Sequence, residues 1–205
     1  MSTPLKSGAG KGAARATFCS YAAMPVQLPT ILYDLPRNPA IAVGLPLTVG
    51  WLTGLITRTS VQAWYPSLRK PSLQPPRWAF PVAWTFLYAS MGAASHLLVA
   101  AYDSSLPGSA ARFAADHALK LYWLQYGLNL LWSPTFFGLR QITIANVDII
   151  LLLATLLRLA PAAFKVDQRT LFAFGPYVAW ISFATYLNSS IWWLNLGPGS
   201  KQLRK

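Results

Sequence analysis

WYPSLRKPSLQPPRWAFPVAWTFLYASMG, residues 64–92, decides the fold of this chain. Its first half cannot be helical. Pro66, Pro71, Pro75 and Pro76 each remove a backbone donor and push the preceding residue towards extended conformations. Its second half, from Trp78 onward, carries no charge until Asp103, which is the length and polarity of a membrane span. A basic, proline-stiffened, Trp-rich segment therefore runs straight into an apolar helix. That arrangement suits a lid folded over the mouth of a site between helices.

The rest of the chain agrees with a membrane setting. Of 205 residues 54% are hydrophobic and 11% charged, and the mean hydropathy is +0.38. Those values point to an integral membrane protein rather than a soluble core. The net charge is +12 and there is no Glu. The basic residues sit in short clusters between apolar stretches, which fits headgroup contact with a lipid bilayer and argues against nucleic acid as partner. A single cysteine, Cys19, excludes an intrachain disulfide framework. His96 and His117 are too isolated to suggest a metal site. No acid/base pair or nucleophile dyad is visible, so no catalytic residues, metal ligands or cofactor are assigned.

Charges bound five apolar stretches: Asn38–Thr57, Trp78–Tyr102, Leu121–Leu139, Gln141–Leu157 and Thr170–Ser200. About 20 helical residues cross a bilayer core of about 30 Å. The fourth stretch extends to about Phe164 if Arg158 snorkels, and Gly197-Pro198-Gly199 ends the last one early. The expected fold is an all-α integral membrane protein, a bundle of five transmembrane helices spanning residues 38–196. A basic N-terminal tail (1–37) precedes it and a basic C-terminal tail (197–205) follows. The acid-poor N-terminal tail reads first as a disordered segment, with a mitochondrial targeting segment as the other reading. Lys and Arg nearly balance on the two sides, so orientation is left open. Long continuous spans exclude a β-barrel.

Three spans place aromatic and polar groups on one face. Tyr122, Tyr126, Asn129, Trp132 and Phe136 recur at spacings of four, three, three and four. Such a stripe carries polar atoms that need partners, so it faces the bundle interior. It serves either as ligand lining or as interhelical hydrogen bonding through Asn129. In the fifth span Tyr177, Trp180, Ala184, Leu187 and Ile191 share a face; in the second, Trp84, Tyr88 and Gly92 do. Aromatic walls with a few placed polar groups are typical of ligand pockets. Trp64, Trp78, Trp192 and Trp193, at span ends, read as interfacial belt residues. Asp148 is the one acid inside a span and should have a partner, with Arg140 a candidate. Gly50 and Gly54 form G-x-x-x-G, which suits a homodimer contact or packing within the chain. Pro46 should kink or loosen the same helix.

These residues also carry a family likeness. W-Y-x-x-L-x-K-P-x-x-x-P-P-x-W from Trp64 is followed by W-x-x-L-Y-x-x-M-G to Gly92. Then come N-x-x-W-x-P-x-F-F-G-x-R-Q at Asn129–Gln141, V-D at Val147–Asp148 and P-Y-x-A-W-x-x-F-A-x-x-L-N at Pro176–Asn188. The chain thus resembles, over about residues 38–195, the tryptophan-rich sensory protein/translocator protein (peripheral-type benzodiazepine receptor) family.

The resemblance implies a five-helix receptor or transport-regulatory membrane protein, placed in the mitochondrial outer membrane, that takes tetrapyrroles, sterols and benzodiazepine-type drugs under its first loop. Trp84, Asn129, Trp132, Trp180, Ala184 and Leu187 match its ligand-binding positions, and Lys70 and Pro71 its lid. A porphyrin or haem-like ligand is the expected partner, with Arg69, Lys70 and Arg77 available to propionates. Some bacterial relatives are reported to promote porphyrin breakdown, so a porphyrin-degrading membrane enzyme is one alternative and a sterol-binding or sterol-transport protein the other. The sterol motif of animal members needs a Tyr and a basic residue after L-N. This chain has Ser189 and Trp193 there, and Leu73 where the animal lid has Trp.

Overall fold

The computed structural model describes the backbone of residues 27–202 and the side chains of residues 27–200. Among them every regular element is helical. The first 26 residues, including Cys19 and most of the expected N-terminal tail, lie outside the described residues.

The first long helix starts where its capping chemistry requires. Asn38 accepts hydrogen bonds from the amides of Ala40 (2.9 Å) and Ile41 (3.4 Å), and Pro39 occupies the first helical position. Helix α2 (Pro39–Ala63) follows, with Pro46 buried inside it. A short helix α1 (Ile31–Arg37) precedes it. After the lid come α3 (Ala79–Ser104), α4 (Ala110–Ser133), α5 (Ile142–Val166), α6 (Leu171–Asn195) and the one-turn α7 (Gly199–Gln202). Gly108, at φ 77°, makes the turn before Ser109, whose hydroxyl caps α4 by accepting from the Arg112 amide. Helix α3 packs on α2, α4 and α6, and α5 packs on α4 and α6.

Among the described residues four helices are long and apolar enough to cross a membrane: α2, α3, α5 and α6. The fifth long helix, α4, carries Arg112, Asp116, His117 and Lys120 in its first half. Here the structure corrects the sequence reading. The third stretch was expected to begin at Leu121 because charges precede it, yet helix runs unbroken from Ala110. Those charges are accommodated by partners. Lys120 bonds Asp116 at 2.6 Å one turn away, and Tyr33 of α1 donates to the same carboxylate.

Helix α1 lies within the segment read as the N-terminal tail and ends at Arg37, the last residue of that segment. Aromatic and ionic contacts dock it across the ends of α3 and α4. Tyr33 stacks on Tyr102 at 4.9 Å, Arg37 grips Asp103 through two bonds of 2.8 and 2.9 Å, and the Trp123 indole donates to the Leu32 carbonyl at 2.8 Å. Three of these partners lie 66 to 91 positions downstream, beyond the reach of periodicity. At the other ends of α5 and α6 the expected extensions hold. Helix α5 continues past Arg158 to Val166, and α6 stops at Asn195 just before Gly197.

The surface is what lipid requires. Large apolar side chains face outward on several helices, among them Leu55, Ile56, Ile144, Leu157 and Phe172. Inside, the buried cluster is aromatic and polar as well as aliphatic. It combines Leu87, Met91, Leu98, Leu119, Leu152, Leu156 and Phe174 with Tyr88, Tyr122, Tyr126 and Tyr177. Two glycines let helices approach closely. A Cβ at Gly92 would lie 2.3 Å from the Ala42 carbonyl oxygen, and one at Gly50 would lie 2.2 Å from the Tyr88 ring. Gly50 thus packs within the chain, while Gly54 meets no neighbour within 4 Å.

Candidate functional site

Three helices are stitched together beneath the lid by one amide. Tyr88 of α3 donates to the Asn129 Oδ1 at 2.8 Å, and the Asn129 Nδ2 donates to Tyr177 of α6 at 2.8 Å. The Tyr177 hydroxyl then donates to Gln125 Oε1 at 2.9 Å, one turn earlier on α4. All four side chains are buried. Helical spacing makes this possible, because 125 and 129 are four apart and share the inward face of α4. Asn129 therefore does what the plainer reading of the stripe proposed: it hydrogen-bonds between helices. It also forms part of a cavity wall.

That cavity measures about 590 Å³ and lies between α2, α3, α4, α5 and α6. Trp84, Asn129, Trp132, Trp180, Ala184 and Leu187 all line it. Aromatic contacts set the walls. Trp84 stacks on Tyr88 at 5.4 Å, Trp132 stacks on Phe136 at 5.1 Å, and Phe80 meets Trp180 edge-on at 5.8 Å. A π turn at Pro134–Gly138 ends α4, and Phe136 within it is buried, in line with its place on the inward stripe. Arg140 follows with φ 55°, and its guanidinium lies 5.8 Å from the Trp64 ring. Trp64 packs against Phe136 at 5.5 Å. It belongs to the lid's anchor, where the sequence suggested a belt residue.

Several buried polar atoms around the cavity have no hydrogen-bond partner among the described residues. They include the indole nitrogens of Trp132 and Trp180 and the Oδ1 of Asn188. Asn188 is held from behind. Its amide nitrogen donates to Asn146 Oδ1 on α5 at 3.2 Å, and Ser189 donates to the same oxygen at 2.9 Å. Sequence reasoning missed Asn188 as a wall residue. The signal was present, because 188 lies four after Ala184 and eight after Trp180, on the face already identified. Asp148 corrects an expectation. Its Oδ2 is buried with no hydrogen-bond partner among the described residues, and Arg140 makes no ion pair with it.

The lid is anchored at two points. Tyr65 meets Phe136 and Phe137 edge-on at 6.3 and 5.8 Å. At Arg69 the backbone amide donates to Asn195 Oδ1 at 3.1 Å, and the Asn195 Nδ2 returns a bond to the Arg69 carbonyl at 2.9 Å. Lys70 turns back on the lid itself, donating to the Leu68 carbonyl at 3.1 Å with its ammonium 4.7 Å from the Tyr65 ring centroid. Burial, then the nearby Arg77 charge, holds the Lys70 ammonium below the usual lysine range. Lys70 and Pro71 stay in the lid without lining the cavity, whereas Tyr65, Arg77 and Phe80 do line it.

The fold and site together define an all-helical integral membrane protein with an aromatic cavity closed by a proline-rich lid. Residues 42–194 match the TspO/MBR family, and the chain belongs to that family. It is 37% identical to Protein CrtK of Rhodobacter capsulatus over 69% of this chain and 82% of that protein. It is 36% identical to the translocator protein of Homo sapiens over 79% of this chain and 93% of that protein. With the tryptophan-rich sensory protein of Cereibacter sphaeroides it shares 34% identity over 75% of this chain and 87% of that protein.

Proposed function

We propose that this protein is a membrane receptor or transport-regulatory protein that binds tetrapyrroles, porphyrin or haem-like, in the cavity beneath its lid. One observation carries the reading. The cavity is walled by Trp84, Trp132 and Trp180, and around it two indole donors and one amide acceptor remain unpaired. A buried polar group without a partner costs about 1–3 kcal/mol, so unpaired groups gathered around one space favour a ligand that pairs them. Its volume of about 590 Å³ falls within the usual range for small-molecule sites, about 300–1,000 Å³. Flat macrocycles stack on indole faces, and Arg77 at the wall is suited to a propionate carboxylate.

In this reading α4 is the fifth span. At about 1.5 Å per residue its 24 residues are long enough. The charges that lower its hydropathy gather in its first half, where Tyr33 of α1 reaches the Asp116–Lys120 pair. The basic, acid-poor N-terminal sequence supports a mitochondrial membrane, and the family likeness supports the outer one.

Titration of the purified protein in lipid nanodiscs with protoporphyrin IX, followed by porphyrin absorbance, tests the reading. Saturable binding is expected. Trp132→Ala and Trp180→Ala should each weaken it by about 0.5–1.5 kcal/mol beyond lost area, roughly twofold to tenfold. Affinity unchanged in both variants would remove the cavity from consideration.

A further inference from the structure

A second concavity lies on the outside of the bundle. It is a groove of about 520 Å³ lined by Leu73, Gln74 and Pro75 of the lid and by Pro176, Ala179, Trp180 and Phe183 of α6. None of these residues is ionisable. Residues 176–183 lie about 8–18 Å from the start of a helix about 37 Å long, at about 1.5 Å per residue. On a helix that crosses a bilayer this stretch lies at acyl-chain depth. Non-helical backbone is tolerated there only with few unsatisfied groups. The lid fits that condition, since Pro71, Pro75 and Pro76 carry no N–H.

Trp180 belongs to both spaces, lining the outer groove and the inner cavity. Only its indole, held edge-on by Phe80 at 5.8 Å, is common to the two walls. The indole nitrogen has no partner, so no hydrogen bond fixes the ring. Beside it the lid can part from the helix. Asn195 clasps Arg69, but among the described residues no hydrogen bond joins residues 71–78 to α6.

We propose that this groove is a lateral portal, through which a flat amphipathic macrocycle passes between the lipid phase and the cavity, with the Trp180 indole as its door. The inference rests on the ligand-binding reading above. It adds that the ligand arrives from the lipid phase and not over the lid from water.

Ala179 is exposed and lines the groove but not the cavity, so Ala179→Trp narrows the portal and leaves the binding site intact. Phe183→Ala, one turn further along the same α6 wall, widens the same mouth. The assay is stopped-flow transfer of protoporphyrin IX from preloaded phosphatidylcholine vesicles to the reconstituted protein, with release measured into empty vesicles. Ala179→Trp is expected to slow uptake and release together, about fivefold or more, with Kd held within about twofold. Phe183→Ala is expected to speed both, an opposite shift that general misfolding does not produce. Unchanged rates in both variants, or lost affinity without slower release, overturn the portal alone. If the wild-type chain takes up no porphyrin, the ligand-binding reading fails first and the portal falls with it.

Discussion

Replacing Asn129 by Leu removes the one amide that joins α3, α4 and α6. Two buried hydrogen bonds of 2.8 Å are lost. The two tyrosines do not suffer equally. Tyr177 keeps its bond to Gln125, whereas no other partner is found for the Tyr88 hydroxyl. An unpaired buried hydroxyl costs about 1–3 kcal/mol in soluble proteins, but interhelical bonds in a bilayer average about 0.6 and reach about 1.7. The membrane values govern here, so Asn129→Leu should cost about 1–3 kcal/mol in all. Tyr88→Phe, which removes only the donor, isolates one bond. A double-mutant cycle of the two changes, followed by reversible unfolding in bicelles, should give a coupling of about 0.6–1.7 kcal/mol. Coupling below about 0.2 kcal/mol would refute the stitched arrangement and leave Asn129 as wall lining only. Porphyrin selectivity should shift in Asn129→Leu without loss of binding, since the indole walls remain.

Three further outcomes are expected. Gly92→Ala should destabilise the protein by about 1–3 kcal/mol in thermal unfolding, because its Cβ would overlap the Ala42 carbonyl at 2.3 Å; Gly54→Ala, with no neighbour within 4 Å, should not. Asn195→Leu removes both bonds to Arg69 at about 0.5–1.5 kcal/mol each, so limited trypsinolysis after Arg69 or Arg77 should quicken about tenfold. Cholesterol should bind more weakly than porphyrin, and Ser189→Tyr with Trp193→Arg should strengthen it; strong, competable photolabelling of native α6, unaltered by the double change, would show otherwise.

Residues spaced three and four apart share a helix face whatever surrounds the helix. The inward stripes of α3, α4 and α6, the all-helical membrane class and the proline-bound lid were therefore legible from the sequence alone. The family motifs, carried on those same faces, made the cavity wall from Trp84 to Leu187 legible as well. Charge proved a poor guide to helix ends. Arg112, Asp116 and Lys120 interrupt hydropathy but not the backbone bonds of α4, and the side chain that supports Asp116 belongs to α1.

Only the tertiary structure decided which faces meet. Tyr88 reaches Asn129 across 41 positions, Asn188 reaches Asn146 across 42, and Asn195 reaches Arg69 across 126. Periodicity places a polar atom on a face without naming its partner. That choice depends on how far one helix slides and rotates against the next, which packing of the whole bundle sets. For the same reason Gly50 proved to be the seat of the Tyr88 ring, and the buried Asp148 Oδ2 proved to have no hydrogen-bond partner among the described residues. A local pattern can require that a buried group be satisfied; only three-dimensional packing determines whether, and by what, it is.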